Sequence, residues 1–403
     1  MAWRNLWRNK RRTWLTATAM IFSNVLLVFM ICLQLGSYDM MISNTLKTFS
    51  AYLQIQPTDY LDNPKLRSSI PDIRSLADRV RGILPRARVS ARAAAFALAS
   101  SEERSFGIEV IGVQPLSEPT VSTLPGLVSQ GRYLQSPTAA EIVIGSVMAR
   151  NLKVSLGDEV TLLGSGYDGS FAAGLVRVVG IFDSGSGEMD RSFAEIPLDY
   201  FQEIFAMDGR GNTIAIAVDR LDEVRPAAQA LETALGARED FVVRDWNALN
   251  PGLRQAIQAD MSSAWFMYGV LIVLVAFSVL NTQLMSVMER TREFGVISAL
   301  GVRPRRLAGL VFLETALMAA IGFGLGLALG GLVAAWFNVH GFSYPGMEQI
   351  GEKFNLPSKM YPSLTALGLL LGPSVVFGFC LLAAVYPALR LFRLRPVEAM
   401  RAV

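Results

Sequence analysis

Four apolar stretches, residues 14–36, 261–287, 307–336 and 363–389, constrain this chain more than any other feature of its sequence. A hydrocarbon core about 30 Å thick takes roughly 20 residues of helix and supplies no water to unpaired backbone groups. Each stretch is long enough, and none carries a charge at its centre. The sequence therefore predicts a membrane α-helical protein with four transmembrane helices. The long polar segment at 37–260 explains why the whole chain is only 52% hydrophobic and still 18% charged.

The first stretch follows Arg4, Arg8, Lys10, Arg11 and Arg12, which is also how a secretory signal begins. Its apolar run is too long for a signal h-region of about 7–15 residues, and no small-x-small cleavage site follows, so it is read as a retained span. Trp3, Leu6, Trp7 and Trp14 recur at helical spacing among those cations, which predicts an amphipathic interfacial helix over 1–13. Lys and Arg stay on the cytoplasmic side of short segments. The N-terminus, the Arg-rich connector 288–306 and the tail 390–403 all fall on one side by that rule. Both termini are then expected in the cytoplasm, with 37–260 and the short loop 337–362 outside it. The expected location is the cell inner membrane.

The segment 37–260 reads as a large α+β extracytoplasmic domain. Residues 38–50 continue from the first span without Pro or Gly, and 250–263 lead into the second, so both are expected as helical stalks. Arg88 to Leu98 and Phe106 to Val113 are apolar strand-like runs around Ser100, Ser101, Glu102 and Glu103, a hairpin pattern. Thr213 to Val218, Glu223 to Leu235 and Phe241 to Arg244 predict strand, helix, strand. The middle, about 126–200, has strands and Gly-rich turns of its own and is expected as an inserted β-rich subdomain.

No catalytic residue, metal site or cofactor site is expected in this chain. There is no phosphate loop of the G-x-x-x-x-G-K-[ST] type, because no Lys directly follows a Gly. His340 is the single histidine, which excludes a metal site built on histidines. Cys32 and Cys380 lie inside predicted spans and make no disulfide framework. Asp183, Ser184, Ser186 and Glu188 form a cluster that reads as a turn. Nothing points to nucleic acid.

The connector between spans two and three is the most informative segment. Phe294, Ile297 and Leu300 repeat every three residues, charges precede them, and Gly301 with Pro304 supplies a stop, so a short amphipathic helix is predicted. Glu289, Arg290, Glu293, Phe294, Gly295, Ala299 and Gly301 match E-R-x-x-E-F-G-x-x-x-A-x-G. Gly145 through Ala149, Leu152, Gly157 and Asp158 match G-x-x-x-A-x-x-L-x-x-x-x-G-D. Tyr386, Pro387 and Ala388, then Pro396, Glu398, Ala399, Met400 and Arg401, match a P-A…P-x-E-A-L-R ending with Met for Leu. In all three the chain resembles the MacB/FtsX-like (type VII) permeases of ABC transporters, which include the lipoprotein-releasing permeases.

That resemblance implies a porter-like external domain and a second permease, identical or paralogous, across a central seam. It also implies a separate dimeric ATPase, which would hold the ATP and magnesium. The coupling residues would be Glu289, Arg290, Glu293, Phe294, Gly295, Ile297, Leu300 and Gly301. Force would pass outward by mechanotransmission to extract a lipoprotein or lipid-like substrate and hand it to a periplasmic carrier or adaptor. Met30, Leu33, Phe266 and Met267 are candidates for a substrate slit, since Met and aromatics adapt to variable acyl chains. Control of a cell-wall hydrolase or sensor, and efflux through an adaptor, remain open as alternatives. Gly322, Gly324, Gly326, Gly330 and Gly331 predict close helix packing in the third span. Glu314, near that span's start, is expected to pair with Arg305 or Arg306.

Overall fold

The computed structural model describes residues 10–236, 240–347 and 359–393. Most of the amphipathic segment expected at 1–13, and the tail from 394, lie outside them. The chain divides into two compact units, one made of 1–40, 256–345 and 359–403, the other of 41–255 and 346–358.

Four helices among the described residues are long and apolar enough to cross a membrane. They span Lys10–Thr45, Pro251–Glu289, Pro304–His340 and Ala366–Arg390 and are here the first to fourth span helices. The first two extend well past the expected crossings at 14–36 and 261–287, as the stalk-like sequence on their domain side foreshadows. Pro251 opens the second span helix, where its missing N–H leaves no helical acceptor unpaired.

Within the helical unit, the first span helix is the element on which the others pack. Gly322, Gly326 and Gly330 of the third span helix face Met20, Asn24 and Val28, so two i, i+4, i+8 rows interlock. A Cβ on Gly326 would stand 2.4 Å from that of Asn24, which leaves no room for any other residue. Asn24 Nδ2 donates to the Gly322 carbonyl at 3.1 Å, adding a polar tie in a place without water. Of the five glycines singled out by sequence, Gly324 has nothing near it, and Gly331 approaches Leu369 of the fourth span helix instead.

The fourth span helix uses the same device. Gly368 and Gly372 sit against Cys32, Leu35, Ile31 and Leu27. The second span helix instead brings large side chains, Tyr268, Ile272, Val275 and Val279, into a cluster with Met20, Leu27 and Ile31. At the domain end of this contact, Gln34 Nε2 and Tyr38 Oη donate to Asp260 Oδ2 at 2.5 and 2.7 Å.

Among the described residues the second unit has ten strands: β1 Leu53–Pro57, β2 Arg88–Ser100, β3 Ser105–Val113, β4 Val128–Gly131, β5 Glu141–Gly145, β6 Glu159–Ser165, β7 Phe171–Phe182, β8 Phe193–Pro197, β9 Thr213–Ala217 and β10 Phe241–Asp245. Their order is β10-β1-β9-β2-β3-β8-β5-β7-β4, and β6 joins β2 to β7. The hairpin expected around Ser100–Glu103 is present, with Ser100 opposite Ser105. The strand, helix, strand series also appears, as β9, Val224–Leu235 and β10.

The stretch expected as an inserted subdomain, about 126–200, supplies β4 to β8. Its strands do not make a sheet of their own. β8 lies parallel to β3 and β6 pairs antiparallel with β2, so β2-β3-β8-β5-β7-β6 closes a ring of six strands. Closure removes the unpaired edges that an isolated small sheet would expose. β1 and β10, the first and last strands of the unit, pair antiparallel with Leu53 opposite Asp245.

Candidate coupling site

The connector after the second span helix folds as a helix over Thr291–Ala299. Arg290 breaks the preceding helix and sits at the N-cap position of the new one, with φ −100° and ψ 8°. Gly301 takes φ +91°, a conformation that favours glycine, and turns the chain toward Pro304.

The inward face of this short helix is apolar. Phe294, 1% exposed, enters a cluster with Val287, Leu307, Ala308, Val311, Ala388 and Leu391, and Ile297 packs on its margin. The cluster thereby joins Phe294 to residues from the connector ends of the second, third and fourth span helices. Leu300, which the three-residue repeat placed on this face, is 80% exposed instead. A three-residue repeat falls short of a full turn of about 3.6 residues, so by Leu300, which caps the helix, the direction has drifted roughly 120° away from Phe294.

Arg290 carries the polar half of the site. Its Nη1 donates to both carboxylate oxygens of Glu314, at 3.2 and 3.0 Å. Its guanidinium lies 4.9 Å over the Phe294 ring, and its Nε reaches Glu293 at 3.4 Å. Among the described residues Glu314 therefore forms its ion pair with Arg290, where Arg305 or Arg306 was expected. Arg305 and Arg306 belong to the first turn of the same helix and are exposed, whereas Arg290 is 24 residues back and folded over the buried carboxylate. A carboxylate with a side chain only 7% exposed is tolerable because this partner is itself 13% exposed.

The sequence-predicted coupling residues thus divide. Arg290, Phe294, Gly295 and Ile297 turn toward the span helices, while Glu289, Glu293, Leu300 and Gly301 are exposed. Sequence reasoning passed over Arg292 and Val296, which are also exposed; Arg292 is next to Glu293, and Val296 lies one helical turn on from Arg292 and another before Leu300. The four-residue offset of Arg292 and Val296 was the available signal. Together they make an outward strip of mixed charge and apolar surface.

The candidate slit residues are not brought together in one lining. Met30 leans on the cluster between the first and second span helices and Leu33 is half-buried, whereas Phe266 and Met267 stand exposed on the second. The Asp183 to Glu188 cluster is a turn: Gly185 N–H donates to Asp183, and Ser184 donates through both N–H and Oγ to Asp190. Among the described residues no group of three His, Cys, Asp or Glu side chains is placed to hold a metal.

The profile of the MacB-like periplasmic core domain matches residues 13–234, more than half the chain, and that of the FtsX-like permease C-terminal domain matches 265–396. The chain belongs to the MacB/FtsX-like permeases of ABC transporters. It is therefore a multi-pass membrane protein. The lipoprotein-releasing system transmembrane protein LolC of Xylella fastidiosa strain 9a5c is 25% identical over 310 residues, covering 72% of each chain. The pyoverdine export ATP-binding/permease protein PvdT of Pseudomonas fluorescens is 24% identical over 99% of this chain and 58% of its own length. Among solved structures, the extracellular domain of YknZ from Gram-positive bacteria matches 48% of this chain and 99% of that one, at 21% identity and a TM-score of 0.35. The connector helix Thr291–Ala299 lies inside the FtsX-like match.

Proposed function

We propose that this chain is the permease subunit of a transporter whose ATPase is a separate, dimeric partner, and that it transfers a lipoprotein or lipid-like substrate on the extracytoplasmic side by mechanotransmission. The observation that carries the reading is the coupling helix. Phe294 and the Arg290–Glu314 pair tie it to three span helices, and Arg292, Glu293, Val296 and Leu300 are left exposed for a partner. A helix held that firmly moves its span helices when pushed. The connector and both termini are cytoplasmic in this reading, in the inner membrane, as the distribution of Arg and Lys favours. A second permease and an external carrier complete the assembly.

The lipoprotein substrate is favoured by the likeness to LolC, which extends over the same share of both chains. Efflux through an adaptor is the second reading, favoured by the alignment of PvdT along nearly the whole chain. Purification in native lipid, followed by mass spectrometry of the retained material, separates the two. Co-purified acylated protein supports transfer of lipoproteins. A soluble small molecule, with no acylated protein, overturns it.

A further inference from the structure

The junction between the first span helix and the strand domain is built as no ordinary helix end. After Thr45 the backbone widens into one π-helical turn, Leu46–Ser50, and Ala51 then adopts φ +60° and ψ 178°. A side chain is rarely held in that region unless neighbouring contacts fix it, and π-turns and such strained residues concentrate where a protein works or switches.

The fixing contacts come from the centre of the sheet. Arg92 of β2 is 1% exposed, and its Nη1 donates to the Phe49 carbonyl at 2.5 Å while its guanidinium lies 4.4 Å over the Phe49 ring. The rest of that guanidinium is held by Glu118, which accepts from Nε at 3.1 Å and Nη2 at 2.5 Å and also from Ser90 Oγ at 2.8 Å. The two preceding carbonyls of the turn are held too: Thr123 N–H donates to Lys47 O and Ser122 Oγ to Thr48 O, both at 2.7 Å. The ring of Phe49 meets Phe193 of β8 edge-on at 4.9 Å. Three successive carbonyls are thus gripped by the domain, two by the segment carrying Glu118 and one by Arg92. A buried ion pair adds little net stability over an apolar replacement, so this one is better explained by the geometry it imposes.

We propose that Arg92 is a positioning residue that locks the end of the first span helix to strands β2 and β3, so that movement of that helix reaches the ring of strands instead of being absorbed at Ala51. The proposal rests on the coupling role given above. β2 lies in that ring and also pairs with β9, so a displacement delivered at Phe49 enters where the sheet branches.

The test uses the full chain with Cys32 and Cys380 replaced by alanine and nitroxides at Thr45 and Thr233, both exposed. Three variants loosen the junction in different ways. Arg92→Lys keeps the charge beside Glu118 but not the fork, Phe49→Leu removes the ring, and Ala51→Gly frees the backbone. Each is expected to broaden the Thr45–Thr233 distance distribution at an unchanged thermal transition. In the complex purified from its native membrane, ATP is expected to alter the spectrum at both sites in the parent. In the variants the response is kept at Thr45 and lost at Thr233. Unchanged distance widths in all three variants overturn the lock, as does an ATP response retained at Thr233. If ATP moves neither site in the parent, the coupling role fails, and the widths alone still decide the lock. Should Arg92→Lys not fold, the other two variants carry the measurement.

Discussion

Replacing Glu195 by Gln is expected to change how stability depends on pH. Glu195 of β8 is fully buried; its Oε2 accepts from Tyr133 Oη at 2.6 Å, and its Oε1 has no hydrogen-bond partner among the described residues. Burial pushes its pKa up to about 8, and the neighbouring Glu118 carboxylate adds to the rise, against smaller opposing effects of the Tyr133 hydrogen bond and Arg92. Between its ordinary value of 4.5 and about 8, the folded protein keeps a proton that the unfolded chain has released. Stability therefore falls as pH rises through that window and levels off above it. At about 1.4 kcal/mol per pH unit, the loss for a shift of this size is on the order of 3–5 kcal/mol. Glutamine keeps the acceptor for Tyr133 and cannot ionise. Glu195→Gln should remove the downward slope and raise stability at pH 8.5 relative to the parent. In a domain of this size ~3 kcal/mol corresponds to about 6–12 °C in melting temperature. The assay is thermal unfolding of the detergent-solubilised full chain at half-unit steps from pH 5 to 9. Parallel pH profiles for parent and variant would show that Glu195 is ionised in the fold and would refute the reasoning.

Three further outcomes are expected. Arg290→Ala takes a cation from beside the buried Glu314 carboxylate and should lower stability in detergent by up to about 3–5 kcal/mol, whereas the double change Arg290→Met with Glu314→Leu should recover most of it; equal losses in single and double variants would count against the pair. Leu300→Ala and Val296→Ser alter exposed side chains, so each should shift stability by no more than ~0.5 kcal/mol yet reduce permease-dependent ATPase stimulation; full stimulation removes the outward strip from the coupling role. Gly326→Val forces apart the first and third span helices at a cost of about 1–3 kcal/mol, while Gly324→Ala has open space and should be neutral or slightly stabilising. Urea titration of both variants in the same detergent distinguishes these cases.

The features readable from sequence are those set by local pattern. The four spans follow from apolar length, the β2–β3 hairpin from two strand-like runs around a polar turn, and the connector helix from its charges and stop signal. Features set by distant pairing were not readable. Closure of the strand ring depends on β6 meeting β2 and β8 meeting β3, and neither contact leaves a periodic trace. Arg92 was equally hidden, because an arginine in the run RVSARAAAFALAS reads as solvent-facing until Glu118 appears beside it. The identity of the Glu314 partner failed for a related reason: proximity along the chain favoured Arg305 and Arg306, but only the fold-back at Arg290 aims a guanidinium at the carboxylate. In the third span helix the spacing of glycines was visible, but which three meet the first span helix was decided by the register of Met20, Asn24 and Val28.

The Arg290–Glu314 pair also bears on how the protein is made. Synthesis proceeds from the N-terminus, so the guanidinium emerges 24 residues before the carboxylate it neutralises. When the third span helix enters the bilayer, its acidic residue meets a cation already anchored at the end of the second, and need not wait in lipid unpaired. A displaced second helix would leave this cation out of reach of Glu314 while the third helix is being seated.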